Sequence, residues 1–276
     1  MFFRSLNIKS LYLVLLVTII LALLFRIFVL EAFQIPSGSM ANTLLPGDFL
    51  LVYKLPHSPS TPKQIPYVNI QVPSVSLPRL SEPERDRIYV FKNPEPLKSR
   101  ELKNQVNYIK RCVALPGDTL EIVNKKILIN NVERSIPNNA IFNFTDSYSK
   151  SYSDERITPK GFGWNKDNFG PLIIPGKGNK IELNKRNKLL YKNIIERESG
   201  INVSDDDYVF KKNYYFMLGD NRDDSFDSRF FGLISEDEII GTPVIIYWSF
   251  DSSKSVESFS DFFDAIRWNR ILNFID

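Results

Sequence analysis

The longest apolar stretch of the chain lies near its N-terminus. LYLVLLVTIILALLFRIFVL, residues 11–30, contains a single charged residue, Arg26, close to its end. A helix of this length, rising about 1.5 Å per residue, crosses a hydrocarbon core of roughly 30 Å. Arg4 and Lys9 precede the run with no acidic residue, which predicts that this end stays in the cytoplasm. A cleaved signal peptide is the alternative, but no small-residue cleavage site follows the run, so we expect an anchor.

After this run, segments rich in β-branched and aromatic residues alternate with Gly and Pro, which is typical of short strands. A proline-rich loop between Leu55 and Arg85 interrupts them, because Pro removes donors from a sheet ladder. No later segment is long and apolar enough to span a membrane, so everything after about residue 32 is expected on the outer face. The predicted strands are FLLVYKL (49–55), RIYVFK (87–92), VNYIKRCVAL (106–115), LEIVNKKILIN (120–130), YYFMLGD (214–220) and IIGTPVIIYWSF (239–250).

The polar stretch from residue 131 to residue 212 is interpreted as an inserted, smaller lobe. Its strongest helix signal is NKRNKLLYKNIIERESG, residues 184–200. The predicted apolar stripe of this helix and its C-terminal cap are Leu189, Leu190, Ile194, Ile195 and Gly200. We therefore expect a mostly β fold with mixed or antiparallel sheets and one transmembrane helix. Its predicted parts are a tip and anchor (1–31), a β-rich core (32–130 and 213–254), the inserted lobe (131–212) and an amphipathic tail (255–276).

Composition narrows the possible classes of protein. The 276 residues are 43% hydrophobic and 13% aromatic, which is typical of a globular chain. The net charge of +3 includes no dense basic block, so no nucleic-acid partner is expected. The single cysteine, Cys112, excludes an intrachain disulfide. With one histidine as well, the chain has too few ligands for a zinc site, and we expect neither a metal nor another cofactor.

Candidate chemistry begins with FQIPSGSMANTLLPGDF, residues 33–49, where Ser37 and Ser39 flank a glycine. Pro-Ser-Gly-Ser is ordinary turn chemistry, and the alternative is a nucleophile with a helper hydroxyl. A Ser-His-Asp triad would have to use His57, which we expect to be a solvated histidine in the proline-rich loop. The base would then be a lysine kept neutral by burial. Lys110 is a candidate, although its strand pattern alone favours an edge lysine that faces solvent.

A second polar motif is GDNRDDSFDSRFFG, residues 219–232. Asp220, Asp223 and Asp224 could supply oxygens to calcium, but their spacing does not match a DxDxDG loop. From the residues alone, this motif is interpreted as a polar turn built on buried Asp–Arg pairs.

Three segments together resemble one family, the bacterial type I signal peptidases, which are membrane-anchored Ser-Lys proteases that remove secretory signal peptides. The segments are IPSGSMANTLLPGDFLLVYKL (35–55), YIKRCVALPGDTLEI (108–122) and GDNRDDSFDSRFFG (219–232), the last followed by IIGTPVIIYWSF. The three segments occur in the same order along the chain as in that family, and they follow a single predicted transmembrane span. The resemblance covers the anchor and about half of the outer domain, and says little about residues 56–84 and 131–212.

The resemblance implies a role for each matching residue. Ser39 is expected to be the acylating nucleophile and Lys110 its general base. The hydroxyl of Ser37 and the backbone N–H of Ser39 would form the oxyanion hole. Ser225 would hydrogen-bond the lysine amine, and Asp227 and Arg229 would brace the arrangement. The residues expected to line shallow pockets for substrate side chains P1 and P3 are Ile35, Pro36, Met40, Leu44 and Ile109.

The same resemblance implies partners and a location. Secretory preproteins with small residues at P1 and P3 are the expected substrates, with membrane lipid and the protein translocation channel as further partners. The expected location is the cytoplasmic membrane, with one span and the catalytic domain on its outer face. Asn42 stands where the family usually has proline, and Asp224 replaces a frequent asparagine.

There are two alternatives: one belongs to another class, and the other keeps the chemistry but changes the substrate. A non-catalytic, membrane-anchored peptide-binding module could use the same scaffold, but we would expect it to lack Ser39 or Lys110. A Ser-Lys protease related to the self-cleaving repressors of the DNA-damage response is disfavoured by the predicted anchor and the lack of a DNA-binding segment.

Overall fold

The computed structural model describes residues 8–57, 59–61, 73, 75–94, 107–199 and 206–275. The helices are α1 (Ile8–Phe28), α2 (Lys185–Ser199), α3 (Ser228–Phe231) and α4 (Phe259–Ala265). The strands are β1 (Leu30–Gln34), β2 (Asp48–Tyr53), β3 (Ile88–Lys92), β4 (Asn107–Ala114), β5 (Thr119–Val123), β6 (Lys126–Ile129), β7 (Val132–Glu133), β8 (Phe169–Ile173), β9 (Lys180–Glu182), β10 (Asp207–Val209), β11 (Tyr214–Leu218), β12 (Ile234–Ser235), β13 (Ile239–Ser249) and β14 (Asn273–Phe274).

One helix of the described residues, α1, is long and apolar enough to cross a membrane. No part of its apolar window, Lys9–Phe28, is buried inside the protein. Such a helix needs an apolar environment, because its exposed leucine and isoleucine side chains would otherwise face water. β1 begins two residues after α1 ends, so the last part of the predicted apolar run is strand and connects α1 directly to the main sheet.

The main sheet has eight strands, in the order β1-β2-β13-β3-β4-β11-β12, with β14 also paired to β13. All of these pairs are antiparallel. β13 is long enough to pair with β2 on one edge and with both β3 and β14 on the other. Two register shifts within the β13–β2 ladder bend the sheet, because each bulge increases the local twist.

A second sheet, ordered β7-β6-β5-β8, is also antiparallel. Its strands come from both sides of the predicted boundary between core and lobe at residues 130 and 131, and that boundary stays a prediction. A short pair, β9 and β10, forms the third sheet. The fold is therefore sheet-rich with few helices, as the strand pattern predicted.

Most predicted strands lie within two residues of the observed ones, with one clear exception. The segment 120–130 was predicted as a single strand, but it is the hairpin of β5 and β6. Asn124 and Lys125 at its tip both have positive φ, the backbone shape of a tight two-residue turn. The apolar pattern on either side hid this turn, and Asn124 was its only local signal.

The predicted helix of the polar lobe is present as α2, with a different buried face. Tyr191, Ile194 and Ile195 are buried, whereas Leu189 is exposed and was wrongly placed in the stripe. The proposed cap Gly200 lies outside the described residues.

Three apolar clusters form the core. One lies under β5, β6, β8 and α2, and the other two pack against the main sheet. The cluster below the turn that carries the two serines includes Ile35, Met40, Leu44, Val52 and Val90. These side chains hold the turn against the sheet, because close packing in a core permits little movement.

Candidate active site

The serine turn connects β1 to its antiparallel neighbour β2. Its base is closed by two backbone hydrogen bonds, from Ile35 N–H to Asp48 O at 2.9 Å and from Gly47 N–H to Ile35 O at 2.9 Å. Gly38–Met40 form one turn of 3-10 helix at its tip. The buried side chain of Met40 anchors that turn, and Ser39 beside it stays half-buried.

Lys110 lies in β4, between β3 and β11 in the middle of the main sheet. Only 2% of its surface is exposed, so the alternative of a solvent-facing edge lysine is wrong. Its Nζ lies 2.6 Å from Ser39 Oγ and donates a second hydrogen bond to Ile109 O at 3.0 Å. The structure thus brings together the two residues that the sequence singled out as nucleophile and base.

Burial lowers the pKa of Lys110 to about 8, because an ammonium loses hydration in the interior. The carboxylates of Asp227 and Asp220 act in the opposite direction and raise the pKa, while the charge of Arg229 lowers it. A lysine with this pKa has a substantial neutral fraction near neutral pH, which a general base needs.

The segment that follows β11 packs against the serine turn and braces the site. Asp227 accepts two hydrogen bonds from the Arg229 guanidinium at 2.8 Å and one from Gly219 N–H at 3.2 Å. Burial alone would raise the pKa of Asp227, but the charge and hydrogen bonds of Arg229 hold it below its ordinary value. Asp227 and Arg229 are therefore a paired, buried unit close enough to Lys110 to affect its charge.

A second buried ion pair joins β4 to the same segment. Arg111 donates from Nε and Nη2 to the two carboxylate oxygens of Asp220, at 2.9 and 2.7 Å. Thr43, from the end of the serine turn, donates its hydroxyl to Asp220 at 2.5 Å. Asp220 therefore links β4 to the serine turn, a role that the sequence did not assign. The interpretation of residues 219–232 as a turn with buried Asp–Arg pairs fits this arrangement.

The remaining predicted polar residues differ in their contacts. Ser37 Oγ lies 3.4 Å from Ser39 Oγ, on the exposed side of the turn. Ser225 is buried, but its hydroxyl has no hydrogen-bond partner within the described ranges, so the predicted bond to the Lys110 amine is not made here. It packs instead against Gly219, where any side chain would collide with Ser225 and with the Ser39 carbonyl.

The predicted pocket residues fall into two groups. Ile35, Met40 and Leu44 are buried in the core cluster beneath the turn. Pro36 is exposed and Ile109 is half-buried, so these two can meet a substrate directly. A cavity of about 290 Å³ lies elsewhere, lined by Asp154, Phe162 and Trp164 among others. None of the predicted site residues lines it.

The prediction for His57 was wrong. It is buried, its Nε2 lies 3.1 Å from Thr242 Oγ1, and its ring packs edge-to-face on Tyr89. Burial and the nearby charges of Arg79 and Arg87 lower its pKa to about 4, so this imidazole is neutral at ordinary pH. The proline-rich loop therefore begins with a packed helical turn at Leu55–His57.

A sheet-rich domain in which a serine hydroxyl meets a buried, partly neutral lysine fits the class of serine-type peptidases. A family model described as signal peptidase, peptidase S26, matches residues 8–248. The chain belongs to this family and is a peptidase.

Named relatives agree with this assignment. A signal peptidase I of Buchnera aphidicola from Schizaphis graminum is 33% identical over 280 residues, covering 92% of this chain and 77% of the relative. A signal peptidase I of Aquifex aeolicus is also 33% identical, covering 84% of this chain and 81% of the relative. A solved signal peptidase I from Enterococcus faecalis aligns with 59% of this chain and 97% of its own at 22% identity and a TM-score of 0.31, too low to support a statement about the fold.

Proposed function

We propose that the chain is a membrane-anchored signal peptidase that removes N-terminal signal peptides from secretory preproteins through an acyl-enzyme on Ser39. The observation that carries the proposal is the 2.6 Å contact between Lys110 Nζ and Ser39 Oγ, buried in the middle of the main sheet.

The proposed reaction uses Lys110 as both base and acid. The neutral amine takes the proton of the Ser39 hydroxyl while Oγ attacks the scissile carbonyl carbon, and the ammonium then protonates the departing amine. Water releases the acyl group in the second half, again with Lys110 as base. Ser37 Oγ and Ser39 N–H would donate to the oxyanion, and loss of one such donor typically costs about 2.7–4 kcal/mol.

The proposed substrate is an extended peptide with small side chains. An extended chain can bind beside the serine turn through main-chain hydrogen bonds, with specificity supplied by shallow pockets. Met40 and Leu44 fill the space below the turn, because both side chains are completely buried, and this supports shallow pockets. Pro36 and Ile109 remain at the surface and would contact the residues next to the scissile bond.

Two features support attachment to a membrane. α1 could span the bilayer, and β1 connects it to the sheet that carries the site. Around the C-terminal strand β14, large apolar side chains are exposed: Phe259 by 81%, Trp268 by 58% and Phe274 by 76%. Aromatic side chains of this kind are enriched at membrane–water interfaces, so we place this tail against the headgroups.

The proposal is tested with the full chain in detergent micelles and a preprotein, followed by N-terminal sequencing of the product. We expect one cut after a small residue. Ser39→Ala and Lys110→Ala should each lower kcat by at least about 10³-fold, because each removes a group needed at the reacting atoms. Lys126→Ala, at an exposed lysine of β6, is the matched control and should cleave normally.

Full activity of either site variant would rule out the Ser-Lys mechanism. A wild-type chain that binds the preprotein without cutting it would favour the non-catalytic peptide-binding module.

A further inference from the structure

Asn221 forms hydrogen bonds with two carbonyl groups at the tip of the serine turn, those of Gly38 and Ser39. It follows β11, its side chain is buried, and its backbone N–H donates to Ser39 O at 3.1 Å. Its side-chain Nδ2 donates to Gly38 O at 3.2 Å. Because a carbonyl can only accept, this second contact fixes which side of the Asn221 amide carries the nitrogen.

Asn143 completes this arrangement from the polar stretch that the sequence assigned to the inserted lobe. Its Nδ2 donates to Asn221 Oδ1 at 3.0 Å. Two backbone hydrogen bonds hold Ile141, two residues before Asn143, against the segment after β11: Ile141 N–H donates to Asp220 O at 2.8 Å, and Arg222 N–H donates to Ile141 O at 2.9 Å. The Asn221 amide is therefore held at both ends, by Asn143 on one side and by Gly38 on the other.

The Gly38 carbonyl has a direct connection to catalysis through the planarity of the peptide bond. Gly38 C=O and Ser39 N–H belong to the same trans peptide unit, so they point in opposite directions. A hydrogen bond that fixes the carbonyl therefore also fixes the direction of the N–H. Under the proposed function, that N–H is a donor to the oxyanion.

We propose that Asn221 and Asn143 are positioning residues that aim the Ser39 N–H at the oxyanion. Asn221 orients the Gly38–Ser39 peptide together with Ala41 N–H, which also donates to Gly38 O, at 2.9 Å. Asn143 keeps the Asn221 amide in the orientation that does so. This inference rests on the proposed function, and it adds a role for a residue from a segment about which the family resemblance says little.

The test compares kcat and KM of full-chain variants in detergent on an internally quenched peptide with an Ala-x-Ala cleavage site. Asn221→Asp keeps the shape but removes the Nδ2 donor, and should lower kcat by roughly 10²-fold with KM within about 2-fold, as for a weakened oxyanion donor. Asn143→Ala should lower kcat by roughly 10-fold, about 1.36 kcal/mol, because the Asn221 amide loses the hydrogen bond that holds one of its ends. Asn139→Ala, an exposed asparagine nearby, is the matched control and should stay within about 2-fold.

Two further readouts separate positioning from general damage. The pH at which the rate rises should be the same in wild type and in Asn143→Ala, because this substitution changes neither the burial of Lys110 nor the charges around it. The double variant should be no slower than Asn221→Asp alone, because Asn143 acts through Asn221.

The inference is overturned if wild type cleaves the peptide and both asparagine variants match the control, a result that leaves the proposed function intact. It is equally overturned if activity falls only in parallel with the folded fraction, or if the pH profile of Asn143→Ala moves to the alkaline side. A wild-type chain that cleaves no peptide would contradict the proposed function itself, and the inference with it.

Discussion

Lys110 shows how position in the fold can change the acid–base chemistry of a single residue. In water its amine would be charged across the physiological range, with a pKa near about 10.4. In the middle of the sheet, burial lowers that pKa to about 8, although Asp227 and Asp220 oppose the shift. The fold thus accepts the cost of an amine placed in its interior, and the proposed function explains why a hydrophobic residue does not occupy this position.

Asn42 is a second residue whose backbone matters to the site. Its φ is +76°, in the left-handed region that asparagine and glycine tolerate best. The signal peptidases that the sequence resembles usually have proline at this position, but proline is restricted to a φ near about −65°.

We therefore expect Asn42→Pro to lower the free energy of unfolding by about 1–3 kcal/mol and to slow cleavage, because it displaces Thr43 and its bond to Asp220. Asn42→Gly should stay within about 0.5 kcal/mol of wild type. Urea unfolding in detergent and peptide cleavage measure both effects. A proline variant as stable and active as the glycine variant would show that the turn does not need this conformation.

Among the structural elements, β4 and the segment after β11 determine the geometry of the site together. β4 carries both Lys110 and Arg111, and Arg111 forms a two-pronged, buried bond with Asp220. Buried pairs of this kind are costly to break, because the remaining charge has lost its partner as well as its water.

Asp220→Asn should consequently lower the free energy of unfolding by about 3–5 kcal/mol, since it leaves the Arg111 guanidinium buried without a charged partner. The control is Glu133→Gln, which removes the exposed pair with Lys126 and should cost less than about 1 kcal/mol. Thermal and urea unfolding of both variants provide the comparison. Equal stability losses would mean that the Arg111–Asp220 pair contributes no more than a surface contact.

The sequence predicted elements better than it predicted contacts. Runs of β-branched and aromatic residues located β2, β3 and β13 closely, although burial alternates along β2 while β3 is buried on both faces. Lys110 was ambiguous, since periodicity cannot distinguish a central strand from an edge strand, and only the resemblance to a family selected it. The roles of Asp220 and Asn221 were missed because their side-chain partners are at least 78 residues away in sequence. His57 was misjudged because a proline-rich context does not reveal a packed helical turn.

At the scale of the whole molecule, the path from α1 to the site is short. The chain passes from the apolar helix into β1 and reaches Ser39 within eleven residues of the end of α1. The exposed aromatic tail is attached to the same sheet through the β13–β14 pair. Both features favour a site that works close to the bilayer, where the cleavage region of a membrane-inserted signal peptide would lie.

A triple variant, Phe259→Ser, Trp268→Ser and Phe274→Ser, tests this arrangement. In lipid vesicles it should cleave an inserted preprotein roughly 3- to 10-fold more slowly, because the tail no longer holds the site at the headgroups while α1 still anchors the chain. In detergent, its rate on a short soluble peptide should be unchanged. Val132→Ser, at an exposed apolar residue of β7, is the control. Equal losses on both substrates would contradict a membrane role for the tail.

The most direct test of the Ser39–Lys110 pair is the dependence of kcat/KM on pH for the full chain, which reports the free enzyme. The amine must be uncharged to accept the serine proton, so the rate should be low in acid, rise tenfold per pH unit, and level off above a pKa of about 8. A flat profile would contradict lysine as the base. A rise centred near about pH 10.4 would show that the Lys110 amine is solvated as in water rather than buried against Ser39.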